Sequence, residues 1–308
     1  MNGETPRLQK YTLLRGVGNL GGKFCHPPPF LYLCCVNISG PGRYSASLSA
    51  VGPGLSHLLT LRDMHPHISR YHYNVEPFTE DALGNLSWGR LGNLILRCAS
   101  LHAGEHGFGF DDMVKQGRVW VLSRLVIEMD EMPRTNDDLY IETWVGRAYR
   151  RFTDRHFSVL RADGTAYGHA TSVWALIDLQ TRQSADLEAL PDGGLQPFVV
   201  ADRPLPIAPP SRLPRLADSR PVAIHKAAFT DLDINGHVNS IRLLEMILDR
   251  FTLEELRQQP PHRIEMAYSA EGYAGDELRI YMEPPVDGVR QFEIRKGEAT
   301  TVVKGSIR

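Results

Sequence analysis

The 308-residue chain sets 34 Lys and Arg against 36 Asp and Glu, a formal net charge of −2, which argues against the strongly basic face of a nucleic-acid binder. With 42% hydrophobic and 23% charged residues it has the composition of a globular protein, and its length suits about two domains. No run of about 18 apolar residues occurs, so no membrane span is expected. The four cysteines, Cys25, Cys34, Cys35 and Cys98, form no Cys-x-x-Cys pair. Neither a disulfide framework nor a zinc site is indicated, and a reducing, cytoplasmic setting fits.

Residues 1–63 do not conform to the rest. Pro27-Pro28-Pro29, Gly40-Pro41-Gly42 and Gly52-Pro53-Gly54 interrupt them, and the apolar Phe30–Ile38 is too short for a good signal peptide. They read as a disordered or targeting leader, or as a gene-model extension upstream of a true start at Met64. An intact-mass measurement decides between these.

Residues 64–190 read as a first domain. Leu91, Leu94, Ile95, Cys98, Leu101 and His102 fall at helical spacing, with Ser87 as N-cap and Gly104 and Gly107 at the far end. Strand-like runs follow at Val119–Met129, Leu139–Tyr149, Phe152–Leu160 and Ala166–Leu179, with Asp163-Gly164 as a hairpin signal between the last two. Pro191 to Pro221 is a proline-dense linker, stiff and extended. Residues 222–308 repeat the plan. An apolar helical stripe (Val238, Ile241, Leu244, Leu248, Phe251) precedes strand candidates at Arg263–Ala270, Glu277–Met282, Val289–Arg295 and Thr300–Ile307. One helix and then antiparallel strands, read twice, indicates an α+β class.

The segment Asp231-Leu-Asp233-Ile-Asn235-Gly236-His237-Val-Asn239-Ser240 stands just before the second helix. If extended, it points Asp233, Asn235 and His237 the same way, toward a helix N-terminus whose free N–H groups suit a developing oxyanion. Gly236 allows close approach or φ > 0. The plainer reading, that Asp233 or Asn235 only caps the helix, leaves His237 and Asn239 unexplained.

Asp-Leu-Asp-Ile-Asn-Gly-His-Val-Asn resembles the signature of acyl-ACP thioesterases, of the plastid and related bacterial kinds. The resemblance runs over about residues 70–308 and includes Trp120–Arg124, Ile141–Trp144, Phe152–Asp154 and Thr171–Trp174. It implies a tandem (double) hotdog fold, each half a long helix wrapped by an antiparallel β-sheet. It also implies catalytic roles for Asp233, Asn235 and His237, and for Glu271 on the following strand, in Tyr268-Ser-Ala-Glu271-Gly272. Gly272 departs from the family pattern, where many plant members carry cysteine; that argues against a thiol nucleophile. Cys98, on the apolar stripe, reads as core.

No Gly-x-Ser-x-Gly elbow occurs, so water is the simplest nucleophile, with Glu271 as general base. His237 and the helix-start N–H groups would bind the carbonyl, Asn235 would orient water or substrate, and Asp233 would fix His237 or a turn. Whether Glu271 or His237 takes the proton stays open. No cofactor is expected. The first helix has only Asp81-Ala-Leu-Gly84-Asn85-Leu-Ser87 before it, so one site per chain is expected, with the first half holding the acyl tail. Trp120, Trp144 and Trp174 either line that groove or are ordinary core. Arg124 either pairs with Glu128 or Glu142 or faces substrate. Arg147, Arg150, Arg151 and Arg155 form a docking face for acidic acyl carrier protein or a charge-guarded edge. The chain would act as a monomer or a homodimer. The rivals are an acyl-CoA thioesterase, a hotdog dehydratase and a non-catalytic acyl-binding protein.

Overall fold

The computed structural model describes residues 65–217 and 220–308. The expectations for residues 1–63, including the start at Met64 and three of the cysteines, lie outside them.

Ten strands form one antiparallel sheet. In chain order they are β1 (Ser69–Asn74), β2 (Arg118–Met129), β3 (Asp138–Ala148), β4 (Thr153–Arg161), β5 (Ala166–Asp178), β6 (Ala223–Lys226), β7 (Arg263–Tyr268), β8 (Glu277–Met282), β9 (Arg290–Lys296) and β10 (Thr300–Ile307). The spatial order β1-β3-β4-β5-β2-β7-β10-β9-β8-β6 sets two five-stranded halves back to back. They join where β2 pairs with β7, Arg124 opposite Ala267 through Glu128 opposite Arg263. That pairing removes the edge each half would otherwise expose.

Each half wraps a helix. The first, α1 (Trp88–Glu105), starts at Ser87, whose side chain accepts from Arg90 N. Its length and its broad apolar face come from Leu91, Leu94, Ile95, Cys98 and Ala99, all buried. After it comes the short α2 (Phe110–Lys115). In the second half α3 (Ser240–Leu248) is shorter and is followed by α4 (Leu253–Gln258). Val238 and Phe251, read as part of the second helical stripe, flank α3 instead.

The helices α1 and α3 cross antiparallel where α1 carries glycine. A Cβ on Gly89 would meet Glu245, and one on Gly92 would come within 2.7 Å of Ile241 Cδ1. The main apolar core runs through both halves, from Leu91 and Ile127 to Ile241 and Ile294, and a smaller cluster gathers around Phe108, Val145 and Leu176. Among the described residues no helix is long and apolar enough to cross a membrane.

The proline-dense linker runs across the outer face of the sheet. Arg203 pairs with Glu142 on β3, Ser211 donates through N and Oγ to Glu265 on β7, both at 2.8 Å, and Leu216 N donates to Glu293 on β9 at 3.0 Å. From β3 to β9 is six strand spacings, about 29 Å. The thirteen steps from residue 203 to 216 reach about 40 Å in an extended proline-rich conformation, enough to cover that span. Arg124 belongs to this clamp: its Nη1 donates to Ser211 O at 2.7 Å. It pairs with neither Glu128, which Arg263 takes, nor Glu142.

The first strands of each half, β1 and β6, carry no strong sequence signal. Ser69–Asn74 and Ala223–Lys226 are short and mostly polar, and they exist because β3 and β8 offer them a ladder.

Candidate active site

The segment 231–239 is a tight turn and not the extended stretch expected from the alternation of its polar residues. Asp233 Oδ1 accepts from Asn235 N at 2.8 Å and His237 N at 3.1 Å. Asp233 N donates to His237 O at 2.8 Å and Gly236 N to Asp233 O at 3.0 Å. The turn needs φ > 0, and Gly236 supplies it at +78°. Asp233 therefore folds the loop that presents Asn235 and His237. Burial pushes its carboxyl up, against the pull of the His237 and Asn235 N–H groups.

The cap of α3 is Asn239, not Asp233 or Asn235. Its Oδ1 accepts from Ile241 N at 2.8 Å and Arg242 N at 3.3 Å. Those N–H groups, counted on for an oxyanion, are thus already engaged. Beneath the loop Asp231, 1% exposed, accepts from Ala228 N and Arg242 Nε and pairs with His225 at 2.7 Å. Burial alone would raise its pKa, but these bonds outweigh it and hold the carboxyl at about 2. Asp231 is a structural anchor that sequence reading left without a role.

Glu271 lies three residues beyond the end of β7 at Tyr268 and not on that strand. Val238 N donates to Gly272 O at 2.8 Å, and this bond draws the Glu271 segment against the turn. His237 Nε2 and Glu271 Oε2 stand 3.6 Å apart, with side chains only 15% and 8% exposed. That is ion-pair distance and longer than a hydrogen bond. Glu271 Oε2 accepts from the Tyr273 hydroxyl, whose ring stands edge-on to His237, centroids 5.1 Å apart. Lys296 Nζ reaches Glu271 O at 2.8 Å. Tyr273 and Lys296 were not singled out in the sequence; only Tyr273's place two residues after Glu271 could have pointed to it. Three buried atoms here have no hydrogen-bond partner: Asn235 Nδ2, His237 Nδ1 and Glu271 Oε1. Buried polar groups are nearly always satisfied, so an acceptor for the amide and a donor for the carboxylate belong in this site.

The first half contains the same turn with different side chains. Asp81 Oδ1 accepts from Leu83 N at 2.8 Å and Asn85 N at 3.2 Å, Gly84 sits at φ +79°, and Leu86 N donates to Pro133 O at 2.7 Å. Arg134 N donates to Asp137 as Tyr273 N does to Asp276. Matching these bonds sets Leu83 where the second half has Asn235, Asn85 for His237, Met132 for Glu271 and Arg134 for Tyr273. The scaffold is present twice and the His237–Glu271 pair once.

An apolar cleft of about 610 Å³, counted to its open mouth, lies under the first half-sheet against the far part of α1. Leu96, Ala99, Ala103, Phe108, Trp120 and Trp174 line it, with Thr153 and Arg155 among its polar members. Trp144 does not; it is fully buried against His156 and the Arg203 guanidinium. Because Gly92 faces Ile241, the start of α3 lies level with the first half of α1. Arg155, grouped with the surface arginines by sequence, is 5% exposed, because it sits at an inward position of β4. Arg147, Arg150 and Arg151 are exposed; Arg150 pairs with Asp186 and Arg151 donates to Ser184 O.

The family model described as acyl-ACP thioesterase N-terminal domain matches residues 67–189, and that for the acyl-ACP thioesterase C-terminal domain matches residues 219–305. The chain is 27% identical over 182 residues to the chloroplastic palmitoyl-acyl carrier protein thioesterase of Gossypium hirsutum, covering 58% of this chain and 44% of the cotton protein. It thus spans under half the length of that relative. It is 42% identical to an acyl-ACP thioesterase of Bacteroides thetaiotaomicron of known structure, which aligns with a TM-score of 0.74 over 78% of this chain and 97% of that one. The 12:0-ACP thioesterase of Umbellularia californica shares the fold at 19% identity and a TM-score of 0.68, over 80% and 98% of the two chains.

Proposed function

We propose, from the premise that this chain belongs to the acyl-ACP thioesterase family, that it hydrolyses fatty acyl groups from acyl carrier protein with an activated water and no cofactor. The observation that carries the reading is the approach of His237 Nε2 to Glu271 Oε2, 3.6 Å apart and both largely buried, in residues whose buried Nδ1 and Oε1, like Asn235 Nδ2, have no hydrogen-bond partner.

Glu271 Oε1 takes a proton from water as its oxygen attacks the thioester carbonyl carbon. Oε2 is held meanwhile by Tyr273. Negative charge then develops on the carbonyl oxygen. The amide of Asn235 and the imidazole of His237 supply the donors, since the N–H groups at the start of α3 are spent on Asn239. Collapse of the tetrahedral intermediate breaks the C–S bond. The carrier thiolate leaves with the proton held by Glu271, and the fatty acid is released. Asp233 acts on His237 through the turn.

The division of labour follows. Residues 222–308 carry the chemistry, and residues 64–190 receive the acyl tail in the apolar cleft lined by Leu96, Phe108, Trp120 and Trp174. Acyl carrier protein is the partner in this reading, with Arg147, Arg150 and Arg151 as its docking face; Arg155 is removed from that group by its burial. The β2–β7 pairing supplies within one chain the sheet contact that single hotdog domains obtain from a second copy, which supports one chain as the working unit. The cytoplasm is the compartment assigned, on the cysteine usage.

A thiol-release assay on acyl-ACPs tests the reading, with the matching acyl-CoAs beside them. Turnover of acyl-ACP that Glu271→Gln abolishes is the expected result. Equal rates on both carriers, with no added salt sensitivity for acyl-ACP, overturn the carrier assignment. Unchanged turnover in the variant overturns the site.

A further inference from the structure

The acyl cleft holds a charge that an acyl tail made only of methylenes does not need. Arg155 lines it and is buried, and every group in contact with the guanidinium is neutral. Nη1 lies 2.9 Å from His102 Nδ1 and 3.4 Å from Thr143 Oγ1, and the Phe108 ring lies 5.9 Å away. Among the described ion pairs none includes Arg155. Elsewhere in this protein buried arginines are matched: Arg263 by Glu128 and Glu265, Arg295 by Glu293.

The partner of Arg155 is itself locked in a neutral state. His102 is fully buried, and its Nε2 lies 3.1 Å from His67 O. That bond makes Nε2 the donor and leaves Nδ1 to accept from Arg155. Burial, reinforced by the Arg155 charge, pulls the imidazole down to about 3, so it positions the guanidinium without neutralising it. Burial likewise brings the guanidinium down to about 10, which leaves it cationic at neutral pH. An uncompensated cation in an apolar wall is costly unless something else meets it.

We propose that Arg155 is a specificity-determining residue of the acyl cleft, and that the cleft accepts acyl chains bearing an oxygen substituent, a hydroxyl or a carboxylate, several carbons beyond the thioester. The position follows from the helix. Gly92 lies level with Ile241 at the start of α3, and His102, which holds Arg155, lies ten residues farther along α1, roughly 15 Å at 1.5 Å per residue. The oxygen read by Arg155 is thus well removed from the carbonyl and is not a substituent next to it. Thr153, also in the lining, donates its hydroxyl to Arg147 O at 2.8 Å and adds a second polar atom on the same strand. This inference rests on the hydrolase reading for its turnover assay, but not for its binding assay.

The test compares length-matched acyl-ACPs on the full chain: an unsubstituted saturated acyl group, the same chain with a distal hydroxyl, and the same chain ending in a carboxylate. The wild type is expected to favour an oxygenated chain by at least tenfold in kcat/KM. The hydroxyl and carboxylate arms report which oxygen is read. Arg155→Met is expected to reverse the preference, and Arg155→Lys, which keeps the cation, to retain part of it. Alongside, quenching of Trp120 and Trp174 fluorescence by the free hydroxy, dicarboxylic and plain fatty acids measures the same discrimination as binding, with thermal melts to establish that the variants fold. A wild type that prefers the plain chain in turnover or binds all three acids alike overturns the proposal, as does a preference that survives Arg155→Met. Discrimination in binding without hydrolysis of any acyl-ACP would sustain Arg155 and sink the hydrolase reading instead.

Discussion

The duplicated turn allows a matched pair of substitutions, Asp81→Ala and Asp233→Ala. Each removes a carboxylate that accepts two backbone N–H groups, at 2.8 and 3.2 Å in one half and 2.8 and 3.1 Å in the other. A hydrogen bond to a charged group contributes about 1.5–3 kcal/mol. Both aspartates are only half-buried and the freed N–H groups can reach water, so the lower end applies: about 2–3 kcal/mol for each variant. For a domain of this size about 1 kcal/mol moves the melting temperature by roughly 2–4 °C, so each variant should melt about 4–12 °C lower, and by similar amounts. Activity should separate them. Asp81 presents Leu83 and Asn85, which have no chemistry to lose, so Asp81→Ala should keep wild-type turnover below its melting point. Asp233 presents Asn235 and His237, so Asp233→Ala should lose turnover as well. Thermal melts and thiol release on the two proteins make the comparison. The reasoning fails if Asp81→Ala abolishes hydrolysis, or if only one variant is destabilised.

Glu271→Gln and His237→Ala should each reduce turnover by about 10²–10⁴-fold, the usual contribution of a positioned acid or base, with melting temperatures close to wild type; a rate within a few-fold of normal would remove that residue from the mechanism. Gly272→Ala places a Cβ 2.9 Å from Val238 Cγ2 and 3.3 Å from its Cβ, so overpacking of about 1–3 kcal/mol should shift the residue next to His237 and lower turnover more than it lowers stability. Equal turnover in that variant would mean the turn absorbs the strain elsewhere. Acid should destabilise the first half well above the carboxylate range. Burial, then Arg155, pulls His102 down to about 3, and burial, then Arg147, pulls His156 down to about 4. The unfolded chain therefore binds these protons near pH 6.5 while the folded chain does not, and stability present above 6.5 is lost as pH falls from there toward 3. Denaturant midpoints between pH 7 and 5 should fall in the wild type and fall less in a folded His102→Asn variant; a flat profile would contradict the buried neutral imidazoles.

Much of this architecture is written in local residue order. The stripe Leu91–Cys98 with Ser87 ahead of it specifies α1, because apolar residues at helical spacing can only be buried together on one face. The β-branched and aromatic runs specify eight of the ten strands, to within a residue or two at most ends, and the same order read twice specifies two like halves. The four candidate catalytic residues can be nominated from the segment at 231–239 and Glu271 by their resemblance to a known signature. The turn itself is readable as well, since Asp-x-x-Gly recurs at Asp81 and Asp233; the condition that the segment be extended is not met, because a side chain accepting from its own backbone competes with extension. What residue order could not decide depends on partners far along the chain. The edge strands β1 and β6 exist only through β3 and β8. Arg155 faces inward, and Arg124 holds the linker, because neighbouring strands and Ser211 occupy the space around them. The approach of Glu271 to His237 is made by one hydrogen bond, Val238 to Gly272, between segments 34 residues apart, and loop closure over such a distance is set by the whole packed core rather than by either segment.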